Sequence, residues 1–524
     1  MSIVHGFGNG SCGSRELRVG HYIGIDIGTS GTKSLLIDAQ GNILAEASSN
    51  YEVLTPRPMW TEQDPDAWWN ATVKTVRSVI KQARVKAADV KAIGLSGQMH
   101  GSVFLDKKGT VIRPALLWND QRTSAECAEI TSRAGGREEL IRMVANPALT
   151  GFTAPKILWL RNHEPRNFAR LRHVLLPKDE IRRRLTGELA TDVSDASGML
   201  LLNVVERKWS TELLGKLDLD PALFAQVYES EQVTGSLLPD VAKQLGLTTD
   251  CQVVAGAGDC AAGAVGNGIV RSGLLTASLG TSGVMFIHSD QPQYDTAGRL
   301  HTFCHAVHGK WHMMGVTLSA AGSLQWFMEN VCKELSVRRG NVAYETLLAE
   351  AAEAPAGCAG LLFLPYLAGE RTPHADPHAR AAFIGLTNAH RRGHLARAVM
   401  EGVAMSLRES LEIIRQLEVP IKEMRVSGGG AKSTLWKQIL ADVMHQPACT
   451  MNAEQGPAFG VALLAAVGQG EFKNIEEACK ATIEVTAKTV PQRGAVKTLD
   501  RTFEIYRSLY GSLKETYSAI SRLP

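Results

Sequence analysis

The alternation of apolar and polar positions divides the chain into short strands and longer helices in a recurring order. From Tyr22 an apolar run leads to Asp26, breaks at Gly28-Thr29-Ser30-Gly31 and resumes at Leu35-Leu36-Ile37, which predicts a β-hairpin with a polar tip. Gln40-Gly41-Asn42 marks a further turn, so residues 43–51 form a third antiparallel strand. Asp64-Pro65 supplies an N-cap and a first helical residue for an apolar-periodic helix reaching Val85. Residues 90–95 read as a buried strand running into Ser96-Gly97-Gln98-Met99-His100-Gly101. In sheets covered by helices, ligands collect at the carboxyl ends of strands, so this segment is placed to line a pocket. A histidine in such a turn serves equally well as a packed side chain.

Residues 150–163 predict a loop and an amphipathic helix, with Phe152 and Trp159 in the core, and Pro177-Lys178-Asp179 opens another helix. Arg182-Arg183-Arg184 reads as a solvated helix face, and residues 185–192 have hairpin character. Residues 253–268 form a strand that ends at Gly256-Ala257-Gly258, presents Asp259 and continues into a helix of small residues. Asp259 either caps that helix or serves as a carboxylate base for a hydroxyl. Residues 276–287 then repeat the opening pattern, with Gly280-Thr281-Ser282-Gly283 at the tip. The duplication implies two related halves whose tips face each other across a cleft, able to hold a polyphosphate from both sides.

In the remainder, residues 349–360 read as a polar linker, residues 361–366 and 383–386 as strands, and residues 394–417 as a long helix. A strand ending at Val426 gives way to Ser427-Gly428-Gly429-Gly430, where the backbone can lie flat against an adenine or a phosphate, or simply turn. Residues 458–465 form a small-residue helix, and residues 474–523 are mostly helical.

Composition narrows the class. A chain of 524 residues exceeds one core, and 44% hydrophobic with 21% charged residues indicates a globular protein. No apolar run reaches the roughly 18 residues of a membrane span. A formal net charge of +3, without a basic block carrying interleaved aromatics, argues against a nucleic-acid partner. Nine scattered cysteines without metal-ligand spacing suit reduced thiols, and hence the cytoplasm. Residues 1–20, rich in glycine and serine, read as a disordered extension.

The motifs IGIDIGTSGTK (23–33), WTEQDPDAWW (60–69), GQMHG (97–101), LWNDQR (117–122), GFTAPKILWL (151–160), LPKD (176–179), GDCAAGAVG (258–266), SLGTSG (278–283), LPYLAGERTPH (364–374) and SGGGA (427–431) occur in one order. Together they resemble the FGGY carbohydrate kinases, most closely the branch acting on xylulose. The resemblance implies two ribonuclease-H-like α/β domains of the actin-like ATPase type around a central cleft. The first, residues 21–268, would bind sugar, and the second, residues 269–524, nucleotide. It implies ATP-dependent phosphorylation of D-xylulose to D-xylulose 5-phosphate in xylose catabolism, with ATP and Mg²⁺ required. The expected partners are a ketose and ATP, with a homodimer as the candidate assembly. By resemblance Asp259 is the catalytic base, Met99 and His100 contact the sugar, and Asp26 with Asp259 lies near Mg²⁺. Thr29, Ser30, Lys33, Gly280 and Thr281 would face the phosphates, and Gln325, Gly429 and Gly430 the adenosine. One departure stands out: Cys260 occupies a position where these enzymes usually carry a sugar-binding Asn, which leaves sugar preference open. A kinase for another ketose, polyol or sugar acid, a partner-coupled ATPase and a catalytically silent sugar sensor are the rival readings. The sensor fits poorly with Asp26 and Asp259 both in place.

Overall fold

His21–Ile27 pairs antiparallel with Gly31–Asp38, and that strand with Ile43–Asn50, so the predicted three-strand meander forms. The computed structural model describes residues 20–336, 342–452 and 456–523, and the expected N-terminal extension lies outside them except for Gly20. Ile23, Ile25 and Ile27 are fully buried, because strand Val90–Gly97 pairs in parallel on the other edge of His21–Ile27 and helices cover both faces. Gln252–Val254 adds in parallel beyond Val90–Gly97, and Val233–Ser236 closes that edge antiparallel.

The second half repeats this topology. Gly273–Leu279, Gly283–Ser289 and Trp311–Thr317 form the meander, and Ile421–Ser427 and Ala448–Met451 add in parallel beside the first of them. The duplicated hairpins therefore hold equivalent places in two seven-stranded mixed sheets, the ribonuclease-H-like arrangement expected. Helix Pro65–Ala83 starts where predicted, with the Asp64 carboxylate accepting from the Asp66 N–H.

The halves are joined by close backbone packing. Helix Gly456–Gly468, from the second half, lies against the first sheet and against helix Asp259–Gly266. A Cβ on Gly24 would stand 1.8 Å from the Ala458 carbonyl oxygen, one on Gly94 1.9 Å from that of Val461, and one on Gly460 1.9 Å from that of Ala262. Only glycine permits such approach.

Four expectations are corrected. Arg182 is wholly buried, not solvated: its guanidinium pairs with Asp179 at 2.7 Å and donates to the Ala190 and Ala255 carbonyls, which replaces the water it loses. Helix Thr153–His163 is buried from Thr153 to Leu160 rather than amphipathic, since other elements cover it all round. Residues 185–192 make no hairpin; helix Pro177–Thr186 ends at Gly187, and Ala190–Asp192 pairs in parallel with Gln226–Tyr228. Residues 349–353 complete helix Val342–Glu353 rather than a polar linker, and Ala351 and Cys358 are buried. The closing segment also contains an edge strand, Val485–Thr489. Among the described residues eight cysteines are free, and no helix is long and apolar enough to cross a membrane.

Gly24→Ala should lower the unfolding free energy by about 3 kcal/mol or more, because the methyl meets backbone rather than a movable side chain. Gly215→Ala, at an exposed position of helix Thr211–Leu217 with open space at its Cβ, should instead add about 0.5–1 kcal/mol. Urea unfolding of both variants checks the pair; equal effects would contradict the packing account.

Candidate active site

Ala257–Gly258 pairs with Ser96 and Gly97, so two strand ends emerge together at the carboxyl edge of the first sheet. Gly258 must lack a side chain, since a Cβ there would meet Met99 Cγ at 2.9 Å. This contact sets Met99 directly against the base of Asp259. Gly258 is the N-cap, and Asp259 is the first residue of its helix rather than the cap; its Oδ1 accepts the Cys260 N–H at 2.7 Å. Burial pushes the Asp259 carboxyl up to about 6, against the opposing pull of its hydrogen bonds from Cys260. Burial and the adjacent Asp259 charge hold Cys260 as a protonated thiol.

Asp26 lies opposite Lys33 and Ser96 on its neighbouring strands. Burial, then the charge of Asp259, raises it to about 7. Its Oδ1 is shielded from solvent and has no close hydrogen-bond partner among the described residues. Among the described residues no three His, Cys, Asp or Glu side chains converge as metal ligands. Mg²⁺ commonly takes only one or two carboxylates and fills its octahedron with water and phosphate oxygens, so Asp26 and Asp259 fit that ion.

His100 sits in a left-handed conformation, φ 66°, uncommon for a residue other than glycine. Its turn is held from below: the carbonyl accepts from Lys156 Nζ at 2.9 Å and Thr153 Oγ1 at 3.0 Å, and Lys156 also donates to the Gly151 carbonyl. Burial drives this lysine down to about 7. The ring lies 4.7 Å from Phe152, and Nδ1 is 2.8 Å from the Gly198 carbonyl. A carbonyl only accepts, so Nδ1 carries the proton and Nε2 is an acceptor. Burial, with the charges of Lys156, His301 and Arg371, holds the ring's pKa well below its usual value.

A cavity of about 520 Å³ extends from Asp259 and Cys260, past Thr276 and Ser278, to the turn at Gly428 and Gly429. Gly428, at φ +84°, folds the turn onto the second hairpin tip, where a Cβ would stand 2.6 Å from the Leu279 carbonyl oxygen. Gly430 is buried behind the lining. The tip is anchored too: the Gly280 carbonyl accepts from Ala321 and the Thr281 carbonyl from Ala320 and Gly322. Gln325, on helix Ala321–Asn330, is exposed, bonds to Glu329 and does not line the cavity. On the first tip Ser30 is exposed, whereas the Thr29 hydroxyl accepts from Trp118 Nε1 at 2.9 Å and donates to Gln98 at 3.2 Å. Lys33 Nζ lies 3.1 Å from Glu46.

Beneath Asp259 lies a buried ionic cluster that the sequence pattern did not expose. Lys178 Nζ lies 2.6, 2.7 and 3.4 Å from Asp179, Asp192 and Asp195. Asp192 accepts from the Ser194 hydroxyl at 2.5 Å, and that hydroxyl accepts the Gly258 N–H at 3.1 Å. With Arg182 on the Ala255 carbonyl, the strand end bearing Asp259 is gripped from two sides. The unbroken Leu-Pro-Lys-Asp run was the available signal, since charge pairs within a buried helix require partners from elsewhere.

The model of the FGGY family of carbohydrate kinases matches in its N-terminal domain over residues 21–266 and in its C-terminal domain over residues 275–469. The chain is 42% identical to the xylulose kinase of Escherichia coli strain K12 over 87% of its length and 92% of that protein. It is 38% identical to the xylulose kinase of Bacillus subtilis strain 168, over 95% and 98%. The crystal structure of a xyloylose kinase from Brucella ovis superposes with a TM-score of 0.87 at 36% identity, covering 95% of this chain and all of that one.

Lys156→Met keeps the length of the side chain but leaves two buried carbonyls short of a donor. The unfolding free energy should fall by about 1–3 kcal/mol in chemical denaturation, and a change below about 0.5 kcal/mol would mean the His100 turn holds without it.

Proposed function

The chain belongs to the FGGY family of carbohydrate kinases, and we propose that it transfers the γ-phosphoryl group of ATP to the 5-hydroxyl of D-xylulose. The products are D-xylulose 5-phosphate and ADP, a step in the use of xylose. One observation carries the reading: Asp259 lines the nucleotide-sized cavity while the residue before it touches Met99, so the carboxylate stands where nucleotide and sugar walls meet. The eight cysteines among the described residues are all free, which accords with a cytoplasmic setting.

The sugar lies against Met99 and His100, with His100 Nε2 accepting from a hydroxyl. Adenosine lies along the Gly428–Gly429 backbone, and the phosphates run between the tips at Ser30 and Gly280-Thr281. Mg²⁺ held near Asp26 would neutralise charge on the phosphate oxygens. Asp259 accepts the proton of the 5-hydroxyl as its oxygen bonds to the γ-phosphorus and the bond to the ADP oxygen breaks. Positioning and charge neutralisation supply most of the rate in such transfers. Closure of the two halves on the sugar excludes water and protects ATP from hydrolysis.

Asp259 accepts a proton only when ionised, and its folded pKa is about 6. Hence kcat/KM for xylulose should be level above that pH and fall about tenfold per unit below it. Asp259→Asn should lower kcat at least about 10³-fold and leave ATP affinity within about threefold. A coupled ADP-release assay reads both, and retained turnover would overturn the assignment.

Cys260→Asn would restore an amide donor and acceptor beside the base. The KM for xylulose should fall about fivefold, the worth of one neutral hydrogen bond. An unchanged or higher KM would show that the thiol belongs to this chain's sugar fit.

A further inference from the structure

A 2-ketopentose closes its furanose ring by adding the 5-hydroxyl to C2. A molecule whose 5-hydroxyl is free to attack phosphorus is therefore open-chain and carries a free C2 carbonyl. That oxygen only accepts hydrogen bonds, so the sugar wall needs a donor for it. Met99 has none, His100 Nε2 is an acceptor, Cys260 offers a weak thiol donor, and Lys156 is committed to the His100 and Gly151 carbonyls.

Arg371 fills this gap from the other half of the molecule. Its guanidinium makes no hydrogen bond or ion pair among the described residues, although it is largely withdrawn from water. Nη2 lies 4.0 Å from where a Cβ on Gly151 would stand, beside Phe152 and the His100 turn. Cys260, His100 and His301 all lie within its electrostatic reach. The His301 and His100 rings flank Phe152 at 5.6 and 4.7 Å, so these groups form one wall.

The backbone of Arg371 is rigidly seated. Its N–H donates to Glu370 Oε1 at 2.7 Å, and Glu370 Oε2 accepts from Thr317 Oγ1 at 2.6 Å and Ser406 Oγ at 3.2 Å. Thr372 N–H donates to the Val316 carbonyl, and the Val316 N–H to Thr372 Oγ1. A cation fixed to the second sheet and lying beside a wall built by the first has no acceptor among the described residues. A partly buried guanidinium in that state can take one from the ligand.

Resting on the function proposed above, we infer that Arg371 is a specificity-determining residue that donates to the C2 carbonyl oxygen of the open-chain ketose. It supplies a stronger donor than the Cys260 thiol and selects ketoses over polyols of the same carbon skeleton. Because it rides on the second half, the carbonyl also couples sugar binding to closure.

The test compares wild type, Arg371→Met and Arg371→Lys, with thermal unfolding confirming that each variant folds. Arg371→Met should raise the KM for D-xylulose at least about tenfold, with kcat and the KM for ATP within about threefold of wild type. The inhibition constant of D-arabitol, a polyol with a hydroxyl in place of the carbonyl, should change less than about threefold. Arg371→Lys, a point charge without the planar fork, should fall between. A loss in kcat alone would place the guanidinium on the phosphoryl group, and an equal loss for ketose and polyol would make it a general contact; either overturns the inference, as does an unchanged KM. If arabitol binds wild type too weakly to measure, the KM and kcat changes alone decide. Absence of xylulose phosphorylation in the wild type would instead refute the function itself.

Discussion

The close contact of glycine backbones at the seam between the halves is the constraint on which the rest depends. Gly24 and Gly94 let helix Gly456–Gly468 sink onto the first sheet, and Gly460 and Gly266 let it lie against helix Asp259–Gly266. The helix that begins with Asp259 is thereby clamped between elements of both halves. The carboxylate stands at a fixed point between two sheets rather than on a loop. A site that must position two substrates to within a fraction of an ångström needs such a support, because misplacement by 1 Å costs about 10²-fold in rate.

Charge has been withdrawn from water around that point and compensated unequally. The Lys178 cluster below Asp259 is densely paired, and it grips the strand end through Ser194 and Arg182. Above it burial and the charge of Asp259 raise the cost of ionising Asp26 more than Lys33 and Ser96 lower it, and the Arg371 guanidinium has no acceptor among the described residues. Paired charges hold the scaffold, and the incompletely compensated ones are left for a ligand to pair. Such incomplete compensation is a burden on the ligand-free molecule that binding relieves.

Local patterning carried far where the period and the turn residues agreed. The Gly-Thr-Ser-Gly tips, the Asp64-Pro65 helix start and the strand-to-helix turn at Gly428 are each decided by a few neighbouring residues, and all formed as expected. Local reading failed where burial was imposed from outside the segment. Arg182 looks like a solvated residue until Ala190, Ala255 and Asp179 are brought around it, and helix Thr153–His163 shows no apolar stripe because every side is covered from Thr153 to Leu160.

By itself the sequence determined the two-fold repeat, its strands and turns and the likeness to a kinase family, and it put forward Asp26, Met99, His100 and Asp259 as candidate site residues. These follow from short-range spacing and from motifs that lie unbroken along the chain. Only the tertiary structure decided what each of them faces. It committed Thr29 to Trp118 and Gln98 and set Lys33 against Glu46; it left Gln325 outside the cavity and brought Arg371 beside Gly151. The physical reason is range. Backbone conformation answers to neighbours a few residues away, whereas the partner of a buried charge is chosen by packing across hundreds of residues of chain.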